Sequence, residues 1–370
     1  MNTELRVRAA YPILLALGAL DAAGYSLIAP TLPTIAGRTG VGPAAIGLLV
    51  AAFPAGIVVG FPLAGRSVRS RGTRPVLLAS LALLALGSLG FVAGDSFSVL
   101  MVCRFIMGLG SGGLWIGVTF NTLERWPGLE YLCMSRVFAA YSVGGMVGPA
   151  LGALGGIRAP FAAYLVLVIL AVPLTITMPA TAGRPFESDR SALRLPGFWA
   201  ASAGILFAVL ALGILEGVLP LHFASRLGQA EIGALYVGIS LVVAAAAAAA
   251  ARYAPVAVVV GSIALVTLGL GIAGATGTPA AWVAALALAG IGAGFGNTGS
   301  TGLLLEAVPS ARIVTAMVVW SEIGIIGYLL GPLAGGAVTQ TLGFAWLVLV
   351  PAAAGGVVLA VIAHARRTPA

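Results

Sequence analysis

The chain has 370 residues, 60% of them hydrophobic and only 8% charged, with a mean hydropathy of +1.09. Soluble domains carry about 25% charged residues, so this composition excludes an ordinary soluble protein and describes an integral membrane protein. A net charge of +8 would suggest nucleic acid in a soluble chain, but the 19 basic residues are all arginines, scattered in short segments between apolar runs, where they act as topology signals.

The missing lysine excludes a Walker A loop, which needs Lys on the nucleotide phosphates, and a Schiff-base cofactor. Cys103 lies in an apolar run and Cys133 in a short charged loop, so no disulfide is expected. Met1 to Arg8 resembles the basic start of a signal peptide. No small-residue cleavage site follows and the next run carries Asp21 and two prolines, so a retained first helix is expected.

A helix needs about 20 mainly apolar residues to cross the hydrocarbon core. Cutting at charges, Gly and Pro gives twelve spans, at 10–34, 42–65, 75–95, 97–121, 135–157, 159–180, 197–221, 230–251, 254–274, 280–305, 313–338 and 343–363. The charge-free stretches 253–305 and 323–363 are too long for one helix and divide at residues 275–279 and 341–343. With twelve spans, both termini and the even loops share one side. That side holds Arg6, Arg8, Arg66, Arg69, Arg71, Arg74, Arg125, Arg136, Arg184, Arg190, Arg194, Arg252, Arg312, Arg366 and Arg367. The other side holds Arg38, Arg158 and Arg226, and Arg104 lies within a span. The bias puts both termini in the cytoplasm.

The longest loop, Thr181 to Pro196, follows six spans. It divides the chain into an N-terminal bundle (1–180), a cytoplasmic linker (181–196) and a C-terminal bundle (197–370). The halves resemble each other. Gly148-Pro149-Ala-Leu-Gly152 is matched by Gly331-Pro332-Leu-Ala-Gly335, an offset of 331 − 148 = 183. Gly108, Gly110 and Gly112 fall on Gly290, Gly292 and Gly294 at 182, as do Glu124 and Pro127 on Glu306 and Pro309. Ala45-Ile46-Gly47 resembles Glu231-Ile232-Gly233 at 186. Four matches in one order argue for two repeated six-helix halves. The expected fold is an all-α membrane protein of two pseudo-symmetric bundles.

Within this frame several short patterns coincide. Arg66-Ser-Val-Arg69-Ser-Arg71-Gly72-Thr73-Arg74 lies between spans 2 and 3, and Arg104-Phe-Ile-Met-Gly108-Leu-Gly110 lies in span 4. Gly144-Gly-Met-Val-Gly148-Pro149-Ala-Leu-Gly152 lies in span 5, and Asp21 precedes Pro30 and Pro33 in span 1. This ordered set resembles the major facilitator superfamily, in its twelve-helix drug:proton antiporter branch, over the whole chain. A closer similarity is to vesicular amine transporters. It rests on the spacing of Asp21, Pro30 and Pro33, on Leu215-Glu216-Gly-Val-Leu219-Pro220, and on Glu322 before Gly327-Tyr328-Leu-Leu-Gly331-Pro332. The resemblance implies alternating-access transport of an amine or lipophilic cation. One departure stands out: where the family's loop 2–3 carries Asp this chain has Arg69, and its Arg-Arg is Thr73-Arg74. The latch that the family's Asp supports would have to use other pairs, such as Glu124 or Glu130 with nearby arginines, or be weaker.

Read as chemistry, Asp21 and Glu322 each lie about 15 Å into their helices, near the midplane, while Glu216 is nearer the outer end of span 7. Intramembrane acids are costly and usually mark transport pathways. A carboxyl shielded from water holds a proton more readily than a solvated one, so it can load on one side and unload on the other, in competition with a cation. The bland alternatives are a structural hydrogen bond for Asp21, solvation for Glu216 and an interhelical bond for Glu322. Arg104 either pairs with an acid or bonds carbonyls near the span 4 glycines, in a structural or a proton-coupling role. Gly144, Gly148, Gly152, Gly327, Gly331 and Gly335 sit at i, i+4, i+8 and point to close helix packing, with Pro149 and Pro332 adding bends. Tyr25, Trp115, Asn121, Tyr141, Tyr236, Asn297 and Trp320 are candidate cavity residues. His222 is expected to be solvated.

The expectation is a monomeric secondary transporter in a bacterial inner membrane, exporting a small organic molecule against protons. Its partners would be substrate, protons and lipid, without cofactor, metal or nucleic acid. The alternatives are an importer, a uniporter or a metabolite exporter of the same kind, and, more remotely, a receptor or scaffold. An enzyme is not expected, because His222 and His364 are the only histidines and no His-Glu-x-x-His occurs.

Overall fold

The computed structural model describes residues 3–126, 129–179, 190–309 and 312–367, and every regular element among them is helical. Arg184, Glu187 and Asp189 of the expected linker lie outside the described residues, as do the side chains of Arg6, Arg8, Glu130 and Arg190. All twelve expected spans have a helical counterpart. In chain order α1 is Thr3–Ser26, continuing through a 3-10 turn, Ala29–Thr31, into Leu32–Thr39. Then come α2 (Pro43–Arg71), α3 (Thr73–Ala93), α4 (Phe97–Arg125), α5 (Glu130–Gly152) and α6 (Arg158–Thr177). The second series is α7 (Pro196–Gly217, then Leu219–Phe223), α8 (Gln229–Ala250), α9 (Pro255–Ala275), α10 (Pro279–Ala307), α11 (Ile313–Thr341) and α12 (Phe344–Val348, then Leu349–Arg367). All but α5 are long and apolar enough, over described residues alone, to cross a membrane. Such helices close their own backbone hydrogen bonds, which hydrocarbon demands.

The ends follow local chemistry. Gly40, Gly72 and Gly343 take φ of 69°, 82° and 90°, a region that costs other residues steric strain, and there the chain turns between helices. Ser96 caps α4 by accepting from Val99 N at 3.3 Å. Several ends lie beyond the apolar runs, because hydropathy stops at the first charge: α2 runs on to Arg71 and α4 to Arg125. α5 starts at Glu130, so Cys133 is a buried helical residue and not part of a loop. It stops at Gly152, because Gly155 and Gly156 adopt positive φ soon after.

Two helices are broken beside their acids. Pro30 cannot donate to Ser26 O, nor Pro33 to Ala29 O, and α1 ends at Ser26. In α7 Pro220 cannot donate to Glu216 O, and the helix stops at Gly217 and restarts at Leu219.

The described chain forms two compact units, Met1–Gly40 with Ala52–Phe186 and Gln229–Val237, and Val41–Ala51 with Glu187–Gly228 and Gly238–Ala370. In the first, α5 packs on α1 with almost no side chain between them. A Cβ on Gly144 would stand 2.0 Å from Ala19 O, and one on Gly148 would stand 2.7 Å from Ala23 O. α2 and α4 touch likewise, Gly108 against Phe53 O at 2.0 Å. In the second unit α11 packs on α7, where a Cβ on Gly327 would meet Leu206 O and one on Gly331 would meet Leu210 O, each at 2.3 Å. Small residues at such faces let backbones approach, the usual basis of helix association in lipid. The first turns of α2 belong to the second unit and those of α8 to the first. Gly47 there rests on Pro332 O and Gly233 on Pro149 O.

Candidate functional site

Asp21 sits in the last turns of α1, 1% exposed. Tyr141 of α5 donates its hydroxyl to Asp21 Oδ2, and Ser111 of α4 lies close enough to bear on the carboxyl. Oδ1 is buried and has no hydrogen-bond partner. Trp115 of α4 meets the Tyr141 ring edge to face at 5.2 Å and steadies it. Asp21 forms no ion pair among the described residues, where the ion pairs join Asp95 to Arg38 and Arg158.

Arg104, fully buried in α4, has other duties. Its Nη1 donates to Gly24 O at 3.0 Å and its Nη2 to Tyr25 O at 2.7 Å. The guanidinium lies 4.3 Å from the centre of the Phe53 ring and 5.5 Å from that of Tyr25. A cation at a helix C-terminus meets carbonyls that the broken helix leaves without their usual partners, and the aromatic faces add cation–π attraction. The carbonyls that Arg104 bonds are therefore those of α1, not those near the α4 glycines. Tyr25 stands with Arg104 and Phe53, its ring 5.2 Å from that of Phe53.

The second unit carries a similar pair. Tyr328 of α11 donates to Glu216 Oε2 of α7 at 2.7 Å. Glu322 is half-buried and makes no hydrogen bond or ion pair among the described residues. Trp320 is buried and gives its indole N–H to Ala201 O at 3.2 Å, which makes it a packing residue of α11 on α7. Asn297 is exposed on α10. His222 is not simply solvated: its Nε2 lies 2.9 Å from Thr276 O and its ring stacks on Phe344 at 4.6 Å. Asn121 is no cavity residue either. It is fully buried, donates to Thr73 Oγ1 at 2.7 Å and accepts from Arg125, which also reaches Pro179 O. Tyr236 is buried as well.

At the junction of α2 and α3, Arg69 in the last turn of α2 is exposed, Arg74 in the first turn of α3 is half-buried, and neither they nor Glu124 forms an ion pair among the described residues. Gly72 is held by its φ of 82° and by its N–H on Val68 O at 2.8 Å. The Thr73–Asn121–Arg125 chain ties this junction to α4 instead.

Residues that sequence reasoning missed are Ser111 and Tyr164. Tyr164 of α6 is fully buried, its hydroxyl lacks a partner, and it stands close enough to Asp21 and Arg104 to feel both charges. A lone hydroxyl in the apolar run from Phe161 to Pro173 was the available signal.

The family model of the Major Facilitator Superfamily matches residues 14–256. The chain belongs to the Major Facilitator Superfamily. It is 26% identical over 194 residues to the putative multidrug resistance protein MdtD of Salmonella typhi, covering 50% of this chain and 40% of that one. It is 33% identical over 96 residues to the quinolone resistance protein NorA of Staphylococcus aureus strain Mu50, covering 26% and 25%. The matched segments thus span less than half of these relatives. A bacterial homologue of the human lysosomal transporter Spinster, solved in an inward-facing and occupied conformation, superposes with a TM-score of 0.78 over 97% of both chains at 15% identity. The human organic anion transporter MFSD10 does so at 0.70 and 17% identity, over 98% of this chain and 100% of the other. These likenesses show the fold of this superfamily member, a multi-pass membrane protein.

Proposed function

We propose that this transporter is a proton-coupled exporter of a small organic molecule, cationic or drug-like, and that Asp21 is the carboxyl at which proton and substrate compete. The observation that carries the proposal is a membrane-embedded acid, 1% exposed, that is hydrogen-bonded by Tyr141 and forms no ion pair among the described residues. An acid locked into an ion pair is a structural element. One that is held only by a neutral donor has a charge that must be cancelled some other way, by a proton or by a cationic ligand. Arg104 gives hydrogen bonds to Gly24 O and Tyr25 O. Glu216 with Tyr328, and the half-buried Glu322, supply further acids in the second unit.

The matched segments of MdtD and NorA, both named for drug resistance, support export over import. The arginine bias supports cytoplasmic termini in a bacterial inner membrane. The chain functions as a monomer, with a substrate, protons and lipid as its partners and with no catalytic role. In proteoliposomes with an imposed pH gradient, Asp21→Asn is expected to abolish gradient-driven transport of a cationic dye while elution and unfolding temperature stay those of the wild type. Transport undiminished in the Asn variant would refute the proposal. Counterflow without a gradient separates exchange from uniport.

A further inference from the structure

The exchange proposed at Asp21 assigns no role to Tyr164, yet it is among the largest fully buried side chains described. Its hydroxyl is unpartnered. The ring end is aimed at α1: a Cβ built on Gly24 would stand 2.2 Å from Tyr164 Oη and 2.4 Å from Cζ, so only glycine lets the hydroxyl sit there. Gly24 follows Asp21 by three residues, and positions three apart on a helix are neighbours, with Cβ atoms about 5–6 Å apart. Tyr164 Oη therefore rests one helical turn along α1 from Asp21, and both it and Asp21 Oδ1 are buried atoms without a hydrogen-bond partner among the described residues. Buried polar atoms without partners are rare, and each is costly.

The geometry points to Tyr164 as a second, charge-dependent hydrogen-bond partner of Asp21, donating to Oδ1 when the carboxyl is ionised. The inference rests on the proposal that Asp21 exchanges its charge. Loss of the proton from Asp21 leaves a carboxylate that needs two donors, and Tyr141 already serves Oδ2. A small tilt brings Tyr164 O–H onto Oδ1, with no bond to carbon made or broken and the proton passing to water. When Asp21 regains the proton, its new O–H can donate to Tyr164 Oη. The groups that bear on Asp21 are Ser111 of α4, Tyr141 of α5 and Tyr164 of α6, with Tyr25 one turn further along α1 and Arg104 of α4 on the Gly24 and Tyr25 carbonyls. Among them, Arg104 spends hydrogen bonds on Gly24 O and Tyr25 O. Ser111 also bears on the carboxyl, and Tyr164 brings from α6 an unpartnered buried hydroxyl aimed at the Gly24 turn. Tyr164 is a positioning residue for the coupled reaction, and the missing side chain of Gly24 makes room for it.

The test titrates the protonated-carboxyl band of the purified full-length protein by infrared difference spectroscopy, with Asp21→Asn identifying the band. Tyr164→Phe keeps the ring and removes the donor. Losing a donor to the carboxylate favours the protonated form, so the midpoint of the Asp21 band is expected to rise by about one pH unit, roughly tenfold in proton affinity. Gly24→Ala, which pushes the hydroxyl away but retains it, is expected to move the midpoint the same way and guards against a folding defect in the Phe variant. An unchanged or lowered midpoint in both variants overturns the role of Tyr164. If Asp21→Asn removes no titrating band, what fails is the proposal that Asp21 exchanges a proton, a result distinguishable from failure at Tyr164.

Discussion

Tyr328 donates its hydroxyl to Glu216 across 2.7 Å, and in doing so repeats in α11 and α7 what Tyr141 and Asp21 do in α5 and α1. In each half an acid on the first helix, just ahead of a proline break, takes a phenol from the fifth. The copies are offset along the axis. Tyr141 lies eight residues before Pro149 and Tyr328 four before Pro332, a difference of one turn or about 6 Å. The C-terminal pair also differs in exposure, since Glu216 is half-buried where Asp21 is sealed.

That asymmetry sets an order of effects. A hydrogen bond to a charged group is worth about 1.5–3 kcal/mol, and most where water cannot replace it. Tyr141→Phe is therefore expected to move the pH dependence of dye transport by about one unit or more towards alkaline pH, because the lost donor favours protonated Asp21. Tyr328→Phe, whose acid can recruit water, should move it by less than half as much. Initial rates at a series of pH values, at fixed gradient, check the order. Equal shifts would mean that the two pairs are energetically equivalent.

Arg104 offers a test of a cation that serves a helix end. Arg104→Lys keeps the charge but loses the planar fork that reaches Gly24 O and Tyr25 O together and lies over Phe53. The expected outcome is a lower unfolding temperature in detergent, corresponding to roughly 2–3 kcal/mol, with Arg104→Ala worse because buried carbonyls then lose their donors. If Arg104→Lys unfolds with the wild type, one ammonium suffices for the end of α1.

The glycine faces make a contrast within one helix. A Cβ on Gly144 would stand 2.0 Å from Ala19 O, whereas one on the adjacent Gly145 meets nothing within 4 Å. Gly144→Ala must part α5 from α1 and is expected to cost about 1–3 kcal/mol. Gly145→Ala should be neutral or slightly stabilising, since Ala is the better helix former. Thermal unfolding of the two variants side by side decides it.

Much of this architecture was legible in the sequence because membrane helices obey a length rule and glycine spacing survives duplication. The breaks in α1 and α7 could be suspected from Pro30, Pro33 and Pro220, but where the helix stops depends on which carbonyls find new donors, and Arg104 is 79 residues from Tyr25. The site was only half legible for the same reason. Asp21 announces itself as a charge in an apolar span, whereas Tyr141 and Tyr164 look like ordinary aromatics until α5 and α6 bring them to it. Asn121 misled in the opposite direction, and His222, expected to be solvated, lies against a backbone carbonyl. Polar residues near helix ends satisfy neighbours as readily as ligands, and here Thr73, Arg125 and Thr276 O are those neighbours.

The repeated Gly–Pro approach yields a last, quantitative comparison. Gly47 in α2 and Gly233 in α8 each lie against the carbonyl of a helix proline. Their Cβ positions stand 2.2 Å from Pro332 O and 2.9 Å from Pro149 O. The first distance is far below any contact that a real Cβ makes, and its neighbours are backbone atoms, Gly336 Cα at 3.4 Å among them, which cannot rotate away. At Gly233 the crowding includes the Ala153 Cβ at 2.6 Å and is again rigid, but the carbonyl itself is less compressed. Gly47→Ala should therefore destabilise more than Gly233→Ala, by about 1 kcal/mol within an overall cost of about 1–3 kcal/mol each. Because each contact lies inside one compact unit, the two costs should add in the double variant to within roughly 0.5 kcal/mol. Chemical unfolding of the three variants measures both the order and the additivity, and a reversed order would mean that helix displacement at Pro332 is easier than the backbone contact implies.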